Sequence, residues 1–180
     1  AIVLDKTGTL TEGRPELTDI VTEGWLPEAD LLRLAAGAER NSEHPLAHAV
    51  VQAAKARGLD APKPETFATV AGKGLRATVG GRAVLIGTAA FFTDEGMRTE
   101  TLDARATALA GEGRTVVFVA VDGRLAGLLG IADPVRPGAA EAVAALRALG
   151  AEVVMLTGDQ ERTALAVAKR VGITRALAGV

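Results

Sequence analysis

Ala1-Ile2-Val3-Leu4-Asp5-Lys6-Thr7-Gly8-Thr9-Leu10-Thr11 opens the chain. Four apolar residues that stop at an acid predict a short buried strand delivering Asp5 to a loop. Open α/β sheets bind ligands at the carboxyl ends of their strands, so a carboxylate there is well placed for chemistry. Lys6 supplies a fixed positive charge, Thr7 and Thr9 supply hydroxyls, and Gly8 lets the backbone turn close to a ligand. Such a loop suits a phosphoryl group, whose anionic oxygens want amides, hydroxyls and a cation around them. Asp5 therefore reads as a nucleophile that takes a phosphoryl group and holds it as an aspartyl-phosphate. The plainer alternative is an Asp capping an ordinary Gly-bearing turn.

The same logic recurs near the other end. Val153-Val154-Met155-Leu156 is a short β run followed at once by Thr157-Gly158-Asp159. Thr157 can donate a hydrogen bond to a phosphoryl oxygen, and a helix beginning near Gln160 offers free amides to an anion. The structural alternative is that Thr157 or Asp159 caps that helix. From Gly138 the pattern runs helix, strand, helix, which predicts a parallel α/β layer.

Between these ends the pattern is different. A strand or extended exit is expected at 16–22, then two helices between Pro27 and Gly58, the second starting near Pro45. Extended segments follow at 66–70, 75–79 and 83–86, with Gly80-Gly81 as a hairpin turn. A helical stretch covers about 99–110, and Asp122-Gly123 joins strands at 115–121 and 124–131. The chain thus reads as an α/β unit at 1–20 and 128–180 carrying an α+β insertion at 21–127.

Composition excludes several functions. The 180 residues carry 48% hydrophobic and 23% charged side chains, ordinary for a globular protein. A net charge of −2 argues against a dedicated nucleic-acid surface, because phosphate backbones demand a clear basic patch. With no cysteine and two histidines, a soft transition-metal site is poorly supported. No apolar run approaches the roughly 20 residues that span a bilayer, so no direct membrane insertion is expected. The chain begins at Ala1, and a fresh apolar segment starts at Ala176 and stops at Val180, so an excised piece of a longer protein is expected.

The heptapeptide Asp5 to Thr11 resembles the phosphorylation signature of P-type ATPases, ion pumps of the haloacid dehalogenase-like superfamily. Phosphatases of that superfamily usually carry a second aspartate two residues after the nucleophile. Thr7 stands there instead and cannot shuttle the proton for fast hydrolysis. Thr157-Gly158-Asp159-Gln160 resembles the pumps' Thr-Gly-Asp-Asn motif, with Gln in place of Asn. Asp133, Pro134, Arg136 and Pro137 resemble their hinge motif, which makes Asp133 a candidate for hydrogen bonding to ATP ribose or to a hinge strand.

Ser42-Glu43-His44-Pro45-Leu46 resembles the Ser-Glu-His-Pro-Leu motif of the heavy-metal-transporting P1B branch. The resemblance implies that His44 orients ATP and that Glu39 approaches the adenine. His48 lies four residues beyond His44, a spacing that can suggest metal. No third ligand sits nearby except Glu43 or Glu39, so His48 is read as packed or on the surface. Gly72-Lys73-Gly74-Leu75-Arg76-Ala77 fits a dinucleotide fingerprint on paper, yet Leu75, Ala77 and Val79 alternate as in a strand. It resembles instead the Gly-x-Gly turn of the heavy-metal pumps, where bare backbone at Gly72 and Gly74 makes room for ATP. Gly87-Thr88 falls where the branch has Gly-Asn, so Gly87 carries over.

The resemblance implies a haloacid dehalogenase-like Rossmannoid phosphorylation domain with a parallel sheet. Inserted into it is an α+β nucleotide-binding domain built on an antiparallel sheet plus helices. ATP is the expected phosphoryl donor, with Mg²⁺ at the Asp5 carboxylate and the Thr7 main-chain carbonyl. Lys6, Thr157, Gly158 and Asp159 surround the transferring group. A later Gly-Asp-Gly-x-Asn-Asp motif and a phosphoryl-contacting lysine would lie beyond Val180, so this chain is expected to bind ATP with little or no turnover. Its expected setting is the cytoplasmic face of a membrane, with the actuator domain and membrane helices of the same pump as partners. A soluble haloacid dehalogenase-like phosphatase and a non-catalytic nucleotide-binding module are the alternatives.

Overall fold

The computed structural model describes all 180 residues. In chain order its first elements are β1 (Ile2–Asp5), β2 (Glu16–Thr22), α1 (Glu28–Glu39), α2 (Pro45–Ala56), β3 (Thr66–Val70), β4 (Gly74–Val79), β5 (Arg82–Gly87) and α3 (Ala89–Asp94). Then come α4 (Glu100–Gly111), β6 (Thr115–Val121), β7 (Arg124–Ala132), α5 (Ala139–Ala148), β8 (Val153–Thr157), α6 (Glu161–Arg170) and β9 (Arg175–Ala178). They form two units, one of residues 1–15, 107–115 and 132–180, the other of residues 16–106 and 116–131.

The first unit is a three-stranded parallel sheet in the order β1-β8-β9. Central strand β8 is apolar almost throughout because neighbours and helices cover it, the usual state of a parallel strand. Helix α6 connects β8 to β9, and its apolar residues explain why it lies down there. Ala164, Val167, Ala168 and Val171 recur at helical spacing and are buried, while Glu161, Arg162, Lys169 and Arg170 face water. Glu161 in the first turn and Lys169 and Arg170 in the last also match the helix dipole. These side chains join Leu10, Val143, Val153, Met155 and Ile173 in one core. Each such Val, Leu or Met contributes about 1.5–3 kcal/mol by leaving water.

The register matters more than the area. Asp5 stands opposite Leu156, one residue from Thr157, so two parallel strands deliver the acid and the hydroxyl at the same carboxyl end. The segment from Ala176 is β9, which extends this sheet.

The second unit is a six-stranded sheet in the order β2-β7-β6-β5-β4-β3, antiparallel from β3 through β6. Gly80-Gly81 joins β4 to β5, and Asp122-Gly123 joins β6 to β7, as two-residue turns. Segment 16–22 is an edge strand of this sheet beside β7. Helix α1 packs on β2, β4 and β5, and α2 packs on α1 and β2. Leu31, Leu32, Leu34, Ala35 and Ala38 of α1 meet Val50, Leu75, Val79, Val84, Ile86 and Val121 in the core. Pro45 opens α2 at its first turn, where its missing N–H has no helical partner to lose.

One element was not legible. Helix α3 is six residues long, too short to display a helical period. It is held by Thr88, whose Oγ1 accepts the Phe91 N–H at 3.2 Å, and by burial of Phe91 and Phe92. No helix is long and apolar enough to cross a membrane.

Candidate active site and nucleotide pocket

The Asp5 loop is built from a tight turn and then tied down from a distance. Thr7 (φ −77°, ψ 121°) and Gly8 (φ 78°, ψ −8°) occupy the two central positions of a type II turn, which demands positive φ at the second. The Thr11 N–H closes the loop on the Lys6 carbonyl at 3.0 Å. Thr11, fully buried, brings its Oγ1 to 2.5 Å from Asp133 Oδ2 and 3.0 Å from the Lys6 carbonyl, and accepts the Gly8 N–H at 3.3 Å. The second oxygen of Asp133 accepts the Arg14 N–H at 3.0 Å. Arg136 donates through its side chain to the Gly8 carbonyl at 3.0 Å and through its backbone N–H to the Leu10 carbonyl at 2.9 Å. The 133–136 segment is thus a brace along the whole signature loop, with both Asp133 oxygens engaged.

Within this frame the reactive groups have distinct states. The Asp5 carboxylate is exposed and accepts no hydrogen bond from the protein, leaving both oxygens available. Lys6 is buried, and its Nζ lies 2.5 Å from Asp159 Oδ2. Thr157 is buried and its Oγ1 accepts the Asp159 N–H at 3.1 Å, which leaves the hydroxyl proton to donate. Gly158 links the two, and Gln160 precedes α6 with no side-chain cap, so the first-turn amides keep their donors. The carboxyl ends of β1 and β8 therefore carry a free carboxylate, a buried cation and its acid, a hydroxyl and a helix start. The Asp5 carboxylate and Thr7 carbonyl suit Mg²⁺, which commonly uses one or two carboxylates and completes its shell with water and substrate phosphates. No group of three or more His, Cys, Asp or Glu side chains is placed to hold a metal ion.

In the second unit Glu39, Ser42 and His44 form one connected corner between α1 and α2. The Ser42 N–H donates to the Glu39 carbonyl at 2.9 Å, and the His44 N–H to Ser42 Oγ at 3.3 Å. His44 is exposed and caps α2, its Nδ1 accepting the Leu46 N–H at 3.2 Å. A neutral ring held that way carries its proton on Nε2 and presents a donor to solvent. Burial pushes the Glu39 carboxyl up to about 7, against a smaller lowering by its hydrogen bond with Ser42. His48 is exposed.

The glycines fall into two kinds. Gly72 (φ 69°) sits in a turn closed by the Lys73 N–H on the Val70 carbonyl at 3.0 Å, and a Cβ there would meet nothing within 4 Å. Gly74 and Gly87 face each other across β4 and β5. A Cβ on Gly74 would lie 2.1 Å from the Ile86 carbonyl oxygen and 2.7 Å from the Phe91 ring. On Gly87 it would lie 2.5 Å from both the Lys73 carbonyl oxygen and that ring. Open backbone thus exists at Gly72, whereas the space beside Gly74 and Gly87 is filled by protein. Sequence reasoning missed Phe91 because a buried aromatic in an apolar run carries no motif.

A haloacid dehalogenase-like hydrolase family model matches residues 1–180. The copper-exporting P-type ATPase of Bacillus subtilis is 45% identical over 179 residues, covering 99% of this chain and 22% of that protein. A copper-transporting P-type ATPase of Rhizobium leguminosarum bv. viciae is 46% identical, covering 99% and 21% respectively. The crystal structure of a zinc-transporting PIB-type ATPase in its E2.Pi state superposes with a TM-score of 0.77 at 36% identity, over 99% of this chain and 29% of that one. The chain spans about a fifth of the length of the curated relatives it matches. It belongs to the haloacid dehalogenase-like hydrolase family, and within that family its similarity runs to heavy-metal P-type ATPases.

Proposed function

We propose that this chain is the phosphorylation and nucleotide-binding portion of a heavy-metal-transporting P-type ATPase. In this reading the unit of residues 1–15, 107–115 and 132–180 carries the phosphorylated aspartate, and the unit of residues 16–106 and 116–131 binds ATP. The observation that carries it is the Asp5 carboxylate, exposed and unpartnered at a strand end beside buried Thr157 and Lys6.

Asp5 attacks the γ-phosphorus of ATP, forming an acyl phosphate as the bond to the β–γ bridging oxygen breaks and ADP departs. The Thr157 hydroxyl and the α6 amides donate to the equatorial oxygens, and Lys6 adds positive charge while Asp159 holds its ammonium in place. The Asp5 carboxylate and Thr7 carbonyl would hold Mg²⁺, which would supply charge neutralisation at the phosphates. Thr7 cannot act as a general base, so the acyl phosphate outlives the transfer, as a transport cycle requires. On the insertion, Glu39 and His44 meet the base, and the open turn at Gly72 admits the nucleotide. The pump would work from the cytoplasmic face of a membrane, coupling through its actuator domain and membrane helices to copper or zinc-type cations.

The test is calorimetric titration of ATP, with and without Mg²⁺, into this chain and its His44→Ala variant. The companion measurement is hydroxylamine-sensitive labelling from γ-labelled ATP in the full-length pump. Saturable binding weakened in the variant, with label lost in Asp5→Asn, supports the reading. Absence of binding by the wild type, or label surviving in Asp5→Asn, overturns it.

A further inference from the structure

The turn at Gly72 is the one stretch of open backbone in the proposed nucleotide pocket, and its position is fixed from one side by α3. Three contacts do this. The Thr88 N–H, at the head of α3, donates to the Lys73 carbonyl at 2.9 Å. Asp94, at the foot of the helix, pairs with Lys73 Nζ at 2.6 Å. Between them Phe91, 1% exposed, lies against the positions where Gly74 and Gly87 would carry a Cβ. Arg76 covers the other approach, its guanidinium 5.2 Å from the Phe91 ring centre and ion-paired with Glu95.

These contacts differ in what they can enforce. The Lys73–Asp94 pair is half-exposed on both sides and contributes little rigidity. A buried ring in van der Waals contact with two facing glycines fixes the approach of β4 to β5 at the first residue after the turn. Any displacement of the ring would open a void beside Gly74 or force its backbone to move. We propose that Phe91 is a positioning residue for ATP: it holds the Gly72-Lys73-Gly74 turn in nucleotide-receiving geometry without touching the nucleotide. This rests on the reading of that turn as part of the ATP pocket.

Phe92 supplies the comparison. It is the same residue type on the same helix, fully buried, and packs on Phe118 with ring centres 5.8 Å apart. Phe91→Leu and Phe92→Leu should both lower the melting temperature. Measured by calorimetry well below either transition, only Phe91→Leu should weaken ATP, by about threefold, and Phe91→Ala by about tenfold or more, since small displacements of a binding group are felt strongly. Phe91→Met, which refills the space, should recover most of the affinity. A folded Phe91→Leu chain with wild-type affinity overturns the inference, and so does Phe92→Leu weakening ATP equally. No saturable ATP binding by the wild type overturns the nucleotide reading itself, an outcome distinct from either.

Discussion

The Asp5 loop and the Gly72 turn are both short glycine-bearing connections, yet they are held by opposite means. Residues 6–14 are fixed by polar groups reaching more than a hundred residues along the chain, Asp133 to Thr11 and Arg14, and Arg136 to Gly8. The Gly72 turn is fixed by shape, a phenyl ring filling the space that side chains at 74 and 87 would need. A loop held by hydrogen bonds can loosen one contact at a time. One held by close packing tolerates no added atom.

The sharpest way to break the second loop follows. Gly74→Ala would set a methyl 2.1 Å from the Ile86 carbonyl oxygen and against Phe91, contacts that only backbone movement relieves. A loss of about 3 kcal/mol is expected, at the upper end of overpacking effects. Trp25, the single tryptophan, hydrogen-bonds the Leu125 carbonyl within the same unit and reports that unit's urea unfolding by fluorescence. A wild-type midpoint would show that the sheet yields more easily than its packing implies.

Next in size is Glu39, where the two regions differ in electrostatics. The Asp5 site pairs its buried lysine with a carboxylate, while Glu39 is pushed up to about 7 by burial. In the unfolded chain it titrates near 4.5. Between these values the folded state holds a proton that the unfolded state has lost, so stability falls as pH rises from 4.5 to 7 and the loss is complete above that. Glu39→Gln, neutral throughout, should flatten this slope and be the more stable protein by about 2 kcal/mol at pH 8, discounted for partial exposure. Urea titrations at pH 5 and pH 8 check it. An unchanged slope would mean that Glu39 ionises as freely folded as unfolded.

These differences explain what could be read in advance. Strand ends, hairpin turns and the αβα pattern after Gly138 were legible because apolar periodicity and turn chemistry are local. The α/β end units and the antiparallel insertion followed from them. Asp5, Lys6, Thr157 and Asp159 could be singled out as candidates because they stand in short motifs at strand ends, and the fold does place those strand ends side by side. The brace was half legible: Asp133 and Arg136 stood out, but not that they grip Thr11, Arg14 and Gly8, since no local rule pairs residues 120 apart. Phe91 and α3 were invisible for a different reason. A six-residue helix shows no period, and the reason for Gly74 and Gly87 is the ring opposite them.

The polar brace should break more gently. Asp133→Ala removes acceptors from Thr11 Oγ1 and the Arg14 N–H, but the Thr11 hydroxyl still has the Lys6 carbonyl at 3.0 Å. Arg14 is exposed, so its amide finds water. The expected loss is about 1–2 kcal/mol, with faster hydrogen exchange at Arg14 and Thr11 and little change in the second unit. Exchange accelerating equally across both units would instead mean that Asp133 supports the whole chain.

The mildest pair compares the two loops with packing removed from the question. Gly8 and Gly72 have φ of 78° and 69°, and a Cβ at either would meet nothing within 4 Å. Alanine at each position therefore carries only the strain of a left-handed backbone, about 1 kcal/mol, partly offset by a less flexible unfolded chain. If the two losses match, backbone strain alone sets them and the loops differ only in their supports. A larger loss at Gly8 would show that the turn also positions hydrogen bonds, because a shift there moves the Gly8 N–H from Thr11 and its carbonyl from Arg136. A larger loss at Gly72 would mean that strain reaches the Lys73 carbonyl and its bond from Thr88, so the packed loop transmits what the polar loop absorbs.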